Sequence, residues 1–213
     1  MTAPRRRRQP RQERSRATVE RIVAAGRTVL LERGVDGLTT NHVAGVAGIS
    51  PGSLYQYFPD KDAIVDEVVA RYADDLEERV TRAFVDTAAE RDPVVAVRRV
   101  VLALVDALGE HPALLRAVAQ RLPRAGDDRR AAFARRVDAL LTSTLLARHG
   151  GELRHPAGTV AWMLVRTVES LAVGYVLEQP PIDRAGFADE VTALVLGYLG
   201  RALEGRPGTA ARP

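Results

Sequence analysis

The sequence predicts an all-α fold of about nine helices, three grouped before residue 62 and six after it. Three observations lead there. Apolar residues recur at three- and four-residue intervals throughout, and no stretch alternates as a strand would. Proline, glycine and capping residues punctuate the chain at helix-length intervals. The composition, 46% hydrophobic and 27% charged over 213 residues, is that of an ordinary globular chain. With no cysteine, disulfide scaffolds, thiol nucleophiles and thiolate metal sites are excluded. Apolar runs such as Val100 to Val105 are too short for a bilayer-spanning helix of about 20 residues.

Residues 1 to 13 hold Pro4, Pro10, glutamines and arginines with almost no apolar side chains. They are expected to form a disordered basic arm, because they bury too little to offset the entropy of ordering. In the first helix, about 14 to 33, Ile22, Gly26, Val29 and Leu30 share one stripe, and Gly34 stops it. A second helix starts at Thr39 or Thr40, either of which can cap it, and turns Val43, Ala44 and Ala47 inward before Gly48 breaks it. Ser50 caps the third, with Pro51 at its first position, where a missing N–H costs nothing. Pro59 and Asp60 end that helix and open the next. The remaining helices span about 60 to 89, 93 to 110, 112 to 122, 127 to 149, 156 to 178 and 184 to 204. Residues 206 to 213, with Pro207, Gly208 and Pro213, read as a frayed tail.

Charge divides the chain at the same place as helix length. Up to Lys61 there are 11 basic and 5 acidic residues; beyond it, 20 basic face 22 acidic. A basic end on a mildly acidic body suits a protein that meets a polyanion with one end. Arg5 to Arg8 are followed by polar rather than apolar residues, so no secretory leader pattern opens the chain and a cytoplasmic location is expected.

The segment Thr39 to Phe58, TTNHVAGVAGISPGSLYQYF, has two short helices joined by a tight turn at Gly48, the layout of a helix-turn-helix. At about 100° per residue, Leu54 and Phe58 point inward while Gly52, Ser53, Tyr55 and Gln56 point away. That outer face carries hydrogen-bonding groups and a small residue but no acid, which suits a major groove. Lys61 is the one lysine in the chain. It opens a helix, where the macrodipole disfavours a cation, and a phosphate there would reverse the penalty.

These residues resemble the TetR-type transcriptional regulators. The resemblance runs over about residues 18 to 65, where ERIVAAGRTVLLERGVDGLTT leads into VAGVAGISPGSLYQYFPDKDAIVDEV. It rests on the alanine pair in the first helix, the glycine before the threonines, the Ala-Gly turn, the Leu-Tyr-x-Tyr-Phe run and the lysine after it. The resemblance implies an all-α homodimer, with a three-helix DNA reader over 14 to 62 and a ligand-binding and dimerisation body over 63 to 205. It places DNA contacts on Thr40, Pro51, Gly52, Ser53, Tyr55, Gln56, Tyr57 and Lys61. Tyr57 lies at an angle that also suits core packing. Gly45 departs from the bulkier residue often found there in the family.

In the body, Val160, Leu164, Val168 and Leu171, and then Val191, Leu194, Val195 and Tyr198, recur at helical spacing on segments apolar around more than one face. Such segments suggest a partner, and the resemblance implies a four-helix dimer bundle from the last two helices. A small-molecule pocket is expected within residues 60 to 178, with Tyr72, Phe84, Trp162, Met163 and Tyr175 as its bulky candidates.

No cofactor, metal or enzyme activity is expected. His42, His111, His149 and His155 lack metal-ligand spacing, and Asp74, Asp75, Glu77 and Glu78 read as a solvated face. Neither a phosphate-cradling glycine loop nor a nucleophile elbow occurs. The sequence thus points to a sequence-specific, DNA-binding transcriptional regulator, a repressor released by a small molecule. An activator or ligand-independent regulator, and a helical protein-binding adaptor with weak DNA binding, stay open.

Overall fold

A computed structural model describes residues 9–87, 89–121, 128–150 and 152–204. The described residues form helices α1 (Gln9–Gly37), α2 (Thr40–Ala47), α3 (Pro51–Tyr55), α4 (Lys61–Thr87), α5 (Pro93–Gly109), α6 (Pro112–Arg121), α7 (Asp128–His149), α8 (Ala157–Glu178) and α9 (Arg184–Leu203). The expected all-α class and element order hold.

One difference concerns the start of α1. It begins at Gln9, so residues 9 to 13, expected in the arm, are helical; Arg5 to Arg8 and the tail from 206 lie outside the described residues. Its regular part stops where the glycine predicts. Gly34 has φ 69° and ψ −179°, a left-handed φ that any Cβ would strain.

Helix starts follow side-chain capping. Thr39 accepts from the His42 N–H, Ser50 from Ser53, Asp92 from Val94 and Asp183 from Gly186. Asp60 accepts from Ala63 N at 2.8 Å and so opens α4. Each satisfies an amide that the helix itself leaves without a partner.

Helix α1 packs on α4, α2 on α1 and α3 on α2, around Ile22, Leu30, Val43, Leu54, Ile64 and Val65, all fully buried. Gly26 lets α1 approach α4, since a Cβ there would lie 2.7 Å from Ile64 Cγ2. In the body α5 is central, packed against α4, α8 and α9, while α7 lies along α8. Ion pairs tie these layers at the surface: Arg98 to Asp189 and Arg184 to Asp106, each at 2.6 Å, join α5 to α9. Helix α6 touches both α1 and α8 and so bridges head and body.

Helix α8 corrects the run-length argument about membranes. It is long and apolar enough, by length and composition, to cross one, with only 28% of its apolar window buried. Arg166 and Glu169 interrupt the run but not the average.

Candidate nucleic-acid interface and effector cavity

The head presents the geometry that the spacing predicts. Val43, Ala44 and Ala47 are the buried residues of α2. Gly48 ends it at φ 65°, ψ 37°, and its N–H bonds back to Ala44 and Gly45 carbonyls. This left-handed turn is what sends α3 across α2. On α3, Leu54 is fully buried and Phe58, just beyond it, nearly so. The opposite face leaves Pro51, Gly52, Tyr55 and Gln56 exposed and Ser53 half-buried.

Several of these side chains hold one another. The Thr40 hydroxyl meets the Tyr55 hydroxyl at 3.1 Å, tying the start of α2 to the end of α3. Ser53 is held by Ser50, which accepts from its N–H at 3.1 Å and pairs with its hydroxyl at 2.9 Å. These bonds fix rotamers on the outer face before any ligand arrives, which lowers the ordering cost of binding. Tyr57 is half-buried against the core, so the packing alternative describes its position. Lys61 is exposed at the first position of α4, beside the Asp60 cap.

The body encloses a cavity of about 320 Å³ bounded by α4 to α9. Its wall is mainly aliphatic, with Val80, Val101, Val118, Leu141, Val168 and Leu199 among the residues that line it, but Asp74, Glu77, Thr87, Thr144, Arg148, His149, Arg166 and Glu169 line it too. Of the five aromatic or bulky candidates, Phe84 lines it and the others do not. Tyr72 is buried in the core beside His111, ring centroids 6.5 Å apart. Burial pushes its phenol up to about 12. Tyr175 stacks on Phe187 at 4.2 Å and donates to the Ile182 carbonyl at 3.1 Å, closing the α8–α9 turn. Trp162 and Met163 face outward, 53% and 42% exposed.

The expected dimer residues divide in the same way. Val160 and Val191 are buried within the protomer, the buried Leu164 and Val195 and the partly buried Val168 line the cavity, and Tyr198 is half-buried. Leu171 and Leu194 are exposed. With Trp162 and Met163 they are apolar side chains of α8 and α9 that the described residues leave exposed. Periodicity finds an apolar stripe but cannot say which neighbour covers it. Sequence reasoning also passed over Arg166, a residue of the cavity wall whose guanidinium pairs with Glu169 at 2.6 Å and Asp138 at 3.7 Å. No spacing signal marks it. Among the described residues, no group of three or more acidic or histidine side chains is placed to hold a metal.

Comparison with known proteins agrees with this two-part organisation. Residues 22–68 match the family model of bacterial regulatory proteins, tetR family, and residues 92–199 match the tetracyclin repressor-like C-terminal domain. Over 49 residues the chain is 43% identical to the HTH-type transcriptional repressor KstR2 of Rhodococcus jostii, a match spanning 23% of this chain and 24% of that repressor. A TetR-family transcriptional regulator of Mesorhizobium loti superposes with a TM-score of 0.67 at 20% identity, over 88% of this chain and 98% of that one. FadR of Bacillus subtilis, solved with stearoyl-CoA, superposes at 0.61 with 16% identity, over 84% and 98%. The head motif, the helical body behind it and family models that cover both lead to one assignment: the chain belongs to the TetR family of bacterial regulatory proteins.

Proposed function

We propose that the protein is a homodimeric transcriptional repressor of the cytoplasm that leaves a palindromic operator when a small molecule fills the body cavity. The observation that carries this reading is the outer face of α3, where Pro51, Gly52, Ser53, Tyr55 and Gln56 surround no acidic group and lie opposite the buried Leu54. Gln56 can read adenine through paired hydrogen bonds, the Ser53 hydroxyl, held by Ser50, can serve several bases, and Gly52 lets the backbone come close. Thr40, Tyr55 and Lys61 hold phosphates on either side, with Tyr57 supporting them from the core. Trp162, Met163, Leu171 and Leu194 supply the uncovered surface on which a second copy docks. A two-fold dimer then reads half-sites about one turn, roughly 34 Å, apart.

Release follows from differential binding. A ligand in the cavity touches α4 and α6, and both of these also pack on α1 of the head. Occupancy favours the arrangement of these helices that best encloses the ligand, and heads held at a different spacing no longer match the operator. The KstR2 name and the stearoyl-CoA complex of FadR support repression and ligand binding in relatives.

The test is selection of DNA from a random pool at fixed salt near ~150 mM, where phosphate contacts alone are partly screened, with Gln56→Ala alongside. A recovered palindrome whose selectivity relaxes by about 1 to 3 kcal/mol at one base pair in the variant is expected. Recovery of sequence-blind, salt-sensitive binding alone would overturn the reading.

A further inference from the structure

Arg33, at the end of the regular part of α1, and His42, in the first turn of α2, meet at the surface of the head, where Arg33 Nη1 stands 3.4 Å from His42 Nε2. A guanidinium only donates, so the ring nitrogen accepts and the imidazole is neutral in this arrangement. Both side chains are exposed. Their backbones are nonetheless fixed by packing, since Leu30, one turn before Arg33, and Val43, next to His42, are fully buried.

The pair lies at the end of the head that carries the other DNA-facing groups. Glu20 bonds to Arg71, and Gly26 faces Ile64 and Val68. Helix α1 therefore runs antiparallel to α4, and its last turns point toward Lys61, which opens α4. His42 follows Thr40 by two residues, and the Thr40 hydroxyl is tied to Tyr55 on the outer face of α3. Few titratable groups surround the ring. Helix α2 packs on α1 and α3. It carries no charged side chain of its own besides His42, and α3 carries none, its Tyr55 phenol being held by Thr40. On α1, Arg33 is the group bonded to the ring, and the acids nearest to it in the chain, Glu32 and Asp36, are exposed to solvent.

Resting on the DNA-binding reading above, we propose that Arg33 and His42 together grip one backbone phosphate, and that His42 takes up a proton as DNA binds. The neutral ring gives up the bond it accepts from Arg33. Once protonated, Nε2 donates to one phosphate oxygen while Arg33 donates to another. Without the phosphate, protonation sets a second cation against the guanidinium; with it, the negative charge between them favours the imidazolium. Histidine is the side chain whose charge ordinarily changes between about pH 5 and 8, so this contact makes DNA affinity depend on pH in that range.

The test measures binding of the full-length protein by fluorescence anisotropy at fixed salt, at about pH 6 and about pH 8, on the recovered operator and on an unrelated duplex of equal length. A phosphate contact carries no sequence information, so affinity for both duplexes is expected to fall about tenfold over that interval. His42→Gln is expected to abolish most of the fall, and His42→Lys to keep at the higher pH the affinity that the unaltered protein has at the lower. Arg33→Ala is expected to weaken binding at both pH values and to reduce the slope of log affinity against log salt by about 1 per protomer. Calorimetry in two buffers of different ionisation enthalpy counts the proton on the unaltered protein, whatever the variants do. Affinity independent of pH, a fall undiminished in His42→Gln, or no proton taken up would overturn the proposal. So would an Arg33→Ala protein with unchanged affinity and salt slope. Equal binding to both duplexes with the pH dependence intact would keep this contact and sink the operator reading; a sequence-selective protein without pH dependence would do the reverse.

Discussion

Two glycine-to-alanine substitutions should act on stability with opposite signs, and the structure says why. In a helix interior alanine is favoured over glycine by about 1 kcal/mol, and both Gly26 and Gly45 sit inside helices. At Gly45 an added Cβ meets nothing within 4 Å, so Gly45→Ala should realise most of that gain. At Gly26 the Cβ would lie 2.7 Å from Ile64 Cγ2 and 3.3 Å from Val68 Cγ2. Those side chains are 0% and 2% exposed and β-branched, with one strongly preferred helical rotamer, so α1 and α4 must separate instead. Overpacking of this kind costs about 1 to 3 kcal/mol, which outweighs the propensity gain and leaves Gly26→Ala about 1 kcal/mol less stable than the parent. For a chain of this length that is a Tm change of roughly 2 to 4 °C per kcal/mol. Urea unfolding followed by far-ultraviolet circular dichroism would measure both, at one fixed protomer concentration because association contributes to apparent stability. A Gly26→Ala protein as stable as the parent, or more so, would refute the claim that the α1–α4 spacing is set by that close approach.

Lys61→Ala should weaken DNA binding about equally across sequences and reduce the slope of log affinity against log salt by about 1; a change confined to particular bases would argue for a base contact. Tyr72 should make stability fall as pH rises from about 10 to 12. Its folded phenol is pushed up to about 12, so the protein is favoured fully below the unfolded value near 10 and loses that advantage as the unfolded chain ionises first. Tyr72→Phe should remove that loss and, because the hydroxyl is buried without a partner, stabilise by up to about 1 kcal/mol at neutral pH; unfolding titrations at pH 8 and pH 11.5 would test both. Leu171→Glu with Leu194→Glu should yield monomers in sedimentation while keeping helicity, since both side chains are exposed in the protomer. Persistent dimers would move the partner surface elsewhere.

The head was legible in the sequence almost residue by residue. Its elements are defined locally, by Thr39 and Ser50 as caps, Pro51 at a first turn, Gly48 in a left-handed turn and the Leu54–Phe58 pair one turn apart. The start of α1 was read too late because capping and periodicity say little about how far an exposed helix propagates beyond its packed turns. In the body, helix positions were read well and their neighbours were not. Aromatic size suggested Tyr72, Trp162, Met163 and Tyr175 for the pocket, yet the cavity is walled mainly by valine and leucine from six helices.

The sequence alone determined the fold class, the order of the helices, the turn that sets α3 across α2 and the polar outer face of that helix, because each depends on interactions within a few residues. Only the tertiary structure decided whether an apolar residue of α8 or α9 faces the protomer core, as Val160 and Val191 do, the cavity, as Val168 and Val195 do, or the outside, as Trp162 and Leu194 do. A helix with apolar residues on several sides offers the same periodic signal for all three. The crossing of neighbouring helices, which depends on side chains far apart in the chain, selects among them.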